Sequence, residues 1–94
     1  MLPPPISLRE PFYHHESGTV RFWVLIEEAV IGASVGRLAL HYRYCPEARD
    51  DDPLATYLSH ASEVDEAVRL RWAEGALEPV MLREFDLRRV RRSP

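Results

Sequence analysis

Gly32-Ala33-Ser34-Val35-Gly36 is the stretch that comes nearest to a chemical motif. It matches the G-x-S-x-G nucleophile elbow and lies between a strand-like and a helix-like run. The elbow strains a serine at the end of a central parallel strand, and later crossover units deliver an acid and a histidine. Asp50 to Asp52 and His60 follow in that order, but at a helix start and on a helix flank, in a chain of only 94 residues. The glycines therefore read as a strand exit and Ser34 as a helix N-cap. Hydrolysis at Ser34 is kept as the third of three functional readings, and no residue is assigned a catalytic role.

Metal ligation has three candidate sets. His14, His15 and Glu16 are adjacent, so on a strand the histidines point to opposite faces. His41 and Cys45 lie four apart across a helix end, but a zinc site wants three or four convergent ligands. Asp50 to Asp52 lacks the alternating spacing and glycine of a calcium loop and reads as a solvated N-cap. No native metal and no cofactor is expected from these sets.

Charge is the remaining chemical feature. All twelve basic residues are arginine, and the net charge is −3. Arg83, Arg88, Arg89, Arg91 and Arg92 against Glu84 and Asp86 give the last segment +3, which leaves −6 on the rest. Arg88, Arg89, Arg91 and Arg92 make a basic tail that suits phosphates or an acidic partner, and contact with nucleic acid through it is the second functional reading. Lysine, asparagine and glutamine are all absent, and the absence of lysine and asparagine is what a GC-rich, bacterial coding sequence would produce.

These residues must be positioned by a small set of elements. In Thr19 to Ile26, Val20, Phe22, Val24 and Ile26 alternate with Arg21, Trp23 and Leu25, the period of a strand. One face is apolar throughout. The other carries Trp23 and Leu25 in its middle, so it is either covered by a second layer or left as an adhesive patch. Ala29 to Ala33 predicts the return strand of a hairpin, and Phe12 and Tyr13 a short strand before the HHESG turn. From Ser34 a short helix is expected, with Val35, Leu38, Ala39 and Tyr42 as its core stripe and Pro46 as its end.

Asp52 and Pro53 mark the clearest helix start, as N-cap and first helical residue. Leu54, Tyr57, Leu58, Ala61, Val64, Val68 and Trp72 form one stripe, predicting a single long helix from Leu54 to Glu74. Asp65 and Arg69 are spaced to pair along it, and Leu70 points off the stripe. Gly75 supplies a left-handed end and Pro79 prevents resumption. Val80 to Leu87 predicts a last strand closing an antiparallel sheet.

The order FYHHESGTVRFWVLIEEAVIGASVGRLAL, then DDPLATYLSHASEVDEAV, then PVMLREFDL, resembles a family of small bacterial α+β proteins, a domain of unknown function. The resemblance covers about residues 12–87 and rests on structural features: an aromatic and acidic turn before a V-x-F strand, a short helix and a long helix before a final strand. It implies a compact α+β fold and no activity, cofactor or catalytic residue.

The expectation is thus a single α+β domain over 12–87, after a flexible proline-rich lead-in over 1–11 and before a basic tail over 88–94. It has an antiparallel sheet of three or four strands packed with one short and one long helix. A single cysteine excludes an internal disulfide, and no run reaches the 18 apolar residues of a membrane span or the pattern of a signal peptide, which points to the cytoplasm. The leading functional reading is a non-enzymatic interaction or regulatory protein. It would contact a second copy or another protein, but no membrane, through Trp23 and Leu25 or a sheet edge.

Overall fold

The computed structural model describes residues 10–90 and shows an α+β domain. Strands β1 (Phe12–His14), β2 (Thr19–Ile26) and β3 (Ala29–Gly36) form an antiparallel meander, followed by helices α1 (Arg37–Tyr44), α2 (Pro53–Ser59) and α3 (Ala61–Ala73). Strand β4 (Val80–Leu82) then pairs with β3, and helix α4 (Glu84–Arg88) ends the described chain. The sheet order is β1-β2-β3-β4. No helix among the described residues is long and apolar enough to cross a membrane.

The alternation in β2 sets the layers. Val20, Phe22 and Val24 are buried opposite Val35, Ala33 and Ile31 of β3, and Val80 and Leu82 of β4 continue that face. All the helices pack on it. The Phe22 ring lies 4.5 Å from Tyr57 of α2, and Leu40, Val64, Val68 and Leu87 complete the cluster from α1, α3 and α4. Asp52 caps α2 as expected, its carboxylate accepting from the backbone N–H of Leu54 and Ala55, with Pro53 in the first turn.

Four expectations are corrected. First, β3 runs on through Gly36, so Ser34 pairs with Arg21 and Met81 inside the sheet and Gly36 is the residue before α1. A strand flanked on both sides has partners for its backbone beyond the point where serine offers a cap. Consequently Val35 is a core strand residue. Leu38 and Tyr42 are exposed, and the helix buries Leu40.

Second, the single long helix is two. His60, at φ −125° and ψ 23°, ends α2 and precedes α3, and its ring stacks on Tyr44 with centroids 3.9 Å apart. Leu58 is exposed and Leu70 half-buried against the core, while Arg69 pairs with Glu66.

Third, β4 is three residues long and parallel to β3, because the three helices carry the chain back to the end of the sheet where β3 began. Residues 84–88 are helical. Fourth, the packed structure continues past residue 87, with Val90 in the core cluster. Most of the proline-rich lead-in, Arg91 and Arg92 lie outside the described residues.

Candidate functional site

The face of the sheet away from the helices is the first site. On the side of the sheet away from the helices lie Phe12, Arg21, Trp23, Leu25, Val30, Ser34 and Met81, the partners of alternate positions in the register. Phe12 is 41 %, Leu25 49 % and Met81 67 % exposed. The Phe12 and Trp23 rings are 6.0 Å apart. A groove of about 370 Å³ runs beside Trp23, bounded by Arg21, Ser34, Glu78 and Met81.

Gly32 makes the floor of that groove. A Cβ there would lie 3.2 Å from Glu78 Oε2 and 3.5 Å from Trp23 Nε1, so glycine allows the indole and the carboxylate to lie close over the strand. The Gly32 N–H donates to Glu78 Oε2 at 2.7 Å, which extends the β3–β4 ladder by a side chain. The sequence marked Trp23 and Leu25. Phe12, Val30 and Met81 join them through strand pairing, which no local spacing reports.

The second site lies where the end of α1 meets the chain just before α2. His41 and Cys45 are one helical turn apart at the end of α1, so both project to one side of it. Pro46 turns the chain away, and it returns at Asp51, immediately before the cap of α2. Asp51 takes both neighbours: His41 Nδ1 is 3.0 Å from Oδ1, and the Cys45 thiol donates to Oδ2 at 3.2 Å. The three potential ligand atoms all lie within 4.8 Å of one another. A cavity of about 250 Å³ opens beside His41 and Asp51, with Arg37 and Arg49 on its wall.

The electrostatics follow from this geometry. The hydrogen bond from Cys45, then that with His41, holds the Asp51 carboxyl below its ordinary range. Burial, then the bond to Asp51, pushes the Cys45 thiol up. Because the carboxylate and not the imidazole accepts from the thiol, the order differs from that of a cysteine hydrolase, in which histidine is the base. The sequence reading paired His41 with Cys45 but assigned Asp51 to a solvated loop. An acid between a helix-ending proline and the next N-cap was the signal that would have joined it to them.

The remaining candidates are dispersed. Ser34 lies in mid-strand, away from the acid and histidine of the elbow reading. His14, the last residue of β1, bonds to Ser17, while His15, in the turn that follows, packs on Tyr13, so the two histidines do not converge. Arg88 pairs with Glu84, and Arg89 grips Glu74 with two bonds that hold the Glu74 carboxyl below its ordinary range.

A half-buried pair between the helices gives a pH prediction. The Tyr57 hydroxyl donates to Asp65 Oδ1 at 2.8 Å. Burial raises the Asp65 carboxyl above its ordinary value, against this bond and the nearby Arg69, and burial and the Asp65 charge likewise push Tyr57 up. An acid raised on folding costs stability above its folded pKa, and the cost disappears as the pH falls through that value. Asp65→Asn, which keeps an acceptor, is expected to leave Tm near neutrality unchanged or a few degrees higher and to flatten its decline as the pH rises. Thermal unfolding from about pH 4 to about pH 7 checks it; a large loss at neutral pH would show that the charge itself stabilises.

Comparison of the chain with protein-family models, with curated proteins and with solved structures finds no match in any of the three.

Proposed function

We propose that this chain is a non-enzymatic interaction protein that works as a homodimer in the cytoplasm, two copies meeting through the open face of the sheet. The observation that carries the reading is the row of Phe12, Trp23, Leu25 and Met81 on the side of the sheet that no helix covers among the described residues. With one apolar face of the sheet against helices, the exposed Phe12, Leu25 and Met81 on the other face form a surface that a second layer would cover.

A second copy fits by symmetry. A two-fold axis through Trp23, lying in the interface and across the strands, sets each β2 antiparallel to its mate. The Arg21 end of one copy then lies over the Leu25–Glu27 end of the other, basic toward acidic. The strands β2 and β3 have eight residues each and β1 and β4 three each, so at about 3.3 Å per residue and about 4.8 Å between strands the patch is roughly 350 Å² per copy in projection. With side-chain relief this approaches the lower end of specific interfaces, which points to a dimer that dissociates on dilution through roughly the micromolar range. The face is preferred to the edges because β1 and β4 are only three residues each, short edges of the kind that resist strand addition.

Light scattering and sedimentation over a concentration series test this. The wild type is expected to approach twice the 10.9 kDa chain mass and the Trp23→Arg variant to stay at 10.9 kDa. Leu25→Arg, at a more exposed position, is expected to do the same while keeping the wild-type dichroism spectrum. A wild type that is monomeric at high concentration, or variants that dimerise as well as it does, would remove the basis of the reading.

A further inference from the structure

We propose that His41, Cys45 and Asp51 form a mononuclear site for a zinc-class divalent cation, with a fourth position open to water. The argument begins with the donor set. One imidazole nitrogen, one sulfur and one carboxylate oxygen suit zinc or a neighbouring late transition metal, and the sulfur and nitrogen argue against calcium and magnesium, which take oxygen. In a tetrahedral zinc site with ordinary bond lengths, the ligand atoms stand about 3.4–3.6 Å apart. Here Asp51 Oδ1 is 3.0 Å from His41 Nδ1 and its other oxygen, Oδ2, is 3.2 Å from Cys45 Sγ, and with one ligand atom taken from each residue no pair exceeds 4.8 Å. A turn of the Asp51 carboxylate that brings one oxygen to face both neighbours, with an approach of sulfur to nitrogen, reaches the required geometry.

The elements hold the ligands independently of any ion. His41 and Cys45 are fixed one turn apart on α1, and the Cys45 N–H donates to the His41 carbonyl at 2.9 Å. Asp51 is anchored beside Asp52, which caps α2. A cation would replace the protons by which Asp51 now holds its two neighbours. On binding, the sulfur–hydrogen bond breaks, its electron pair goes to the metal and the proton leaves to solvent. A thiolate and a carboxylate then neutralise the divalent charge, so the arginines at the cavity wall face a neutral centre. Cys45 is not among the residues lining the cavity, whereas His41 and Asp51 are, so the open position lies on their side.

Cobalt(II) is the probe, because thiolate coordination gives a near-ultraviolet charge-transfer band and tetrahedral geometry gives strong visible bands. The full chain is titrated with cobalt and then with zinc. One equivalent of cobalt is expected to produce both sets of bands and to raise Tm, and zinc to displace it. Since Cys45 is the only cysteine, the sulfur band reports this site without any variant. His41→Ala and Asp51→Asn are expected to weaken binding by at least the roughly 10–100-fold that follows loss of a residue merely hydrogen-bonded to a metal ligand. A folded wild type with no sulfur band in excess cobalt overturns the proposal. So do visible bands alone, which would place the ion at His14 or His15, and so does undiminished affinity in folded His41→Ala.

Discussion

Truncating Phe22 to alanine is expected to lower the unfolding free energy by about 3–5 kcal/mol. For a domain of this length that is a large share of a total of about 5–14 kcal/mol. Phe22 is 1 % exposed, at the centre of the helix-covered face of the sheet. Its cross-strand neighbour is Ala33, too small to fill the space left, and its ring meets Tyr57 at 4.5 Å, so it joins the sheet to α2. The informative control is Leu25→Ala in the same strand, three positions on and on the opposite face. At concentrations low enough for the monomer it is expected to change stability by less than about 0.5 kcal/mol. Urea unfolding of both variants measures the two faces of the sheet. Equal losses would mean that the Leu25 face is also covered in the monomer, and the dimer proposal would lose its surface along with the fold description.

That contrast between faces was partly legible in the sequence. The period of two in Thr19 to Ile26 placed Val20, Phe22 and Val24 together and left Trp23 and Leu25 on the other side, but it could not say whether a second layer lay over them. Covering depends on where the helices return, and that is tertiary information. The reading of β3 failed for a related reason. Gly32 and Ser34 have the chemistry of a strand exit and a cap, yet Gly32 is in the strand because Trp23 and Glu78 occupy the space beside it. Glu78 is 46 residues away in the chain, beyond the reach of any local pattern.

The break at His60 shows the same limit. No proline or glycine interrupts Leu54 to Glu74, and the apolar spacing continues across the break. What meets the chain there is Tyr44, stacked on the imidazole, with Arg43 and Tyr44 both bonded to Glu63 at the start of α3. For the ligand cluster, the spacing of His41 and Cys45 was visible, and the division of labour among three consecutive aspartates was not. Asp52 spends its carboxylate on two backbone N–H groups, which leaves Asp51 to turn toward α1. Either could have capped the helix on composition alone; Pro53 in the first turn selects Asp52.

Asp86→Ala is the second substitution expected to have a large effect, about 2–3 kcal/mol. Asp86 is 5 % exposed, and its Oδ2 accepts from the Arg83 N–H at 2.8 Å and from Arg71 Nη1 at 3.1 Å. One carboxylate therefore closes the first turn of α4 and ties that helix to α3, while Arg71 also reaches the Met81 carbonyl of β4. Removing it strands a backbone donor and leaves the guanidinium without its counter-charge. Breaking a fully buried ion pair costs about 3–5 kcal/mol, and the value here is set lower because the Arg71 side chain is 32 % exposed and water screens part of the loss. Asp86→Asn keeps an acceptor for the Arg83 N–H and gives up only the charge, so about 1 kcal/mol is expected. Urea midpoints for the two variants separate the contributions. If asparagine costs as much as alanine, the ion pair rather than the helix start holds α4. The same residue explains why 80–87 reads as a strand and folds otherwise: Arg83 is a poor cap by its side chain, and the helix is instead started from within, by an aspartate reaching back to the residue that precedes it.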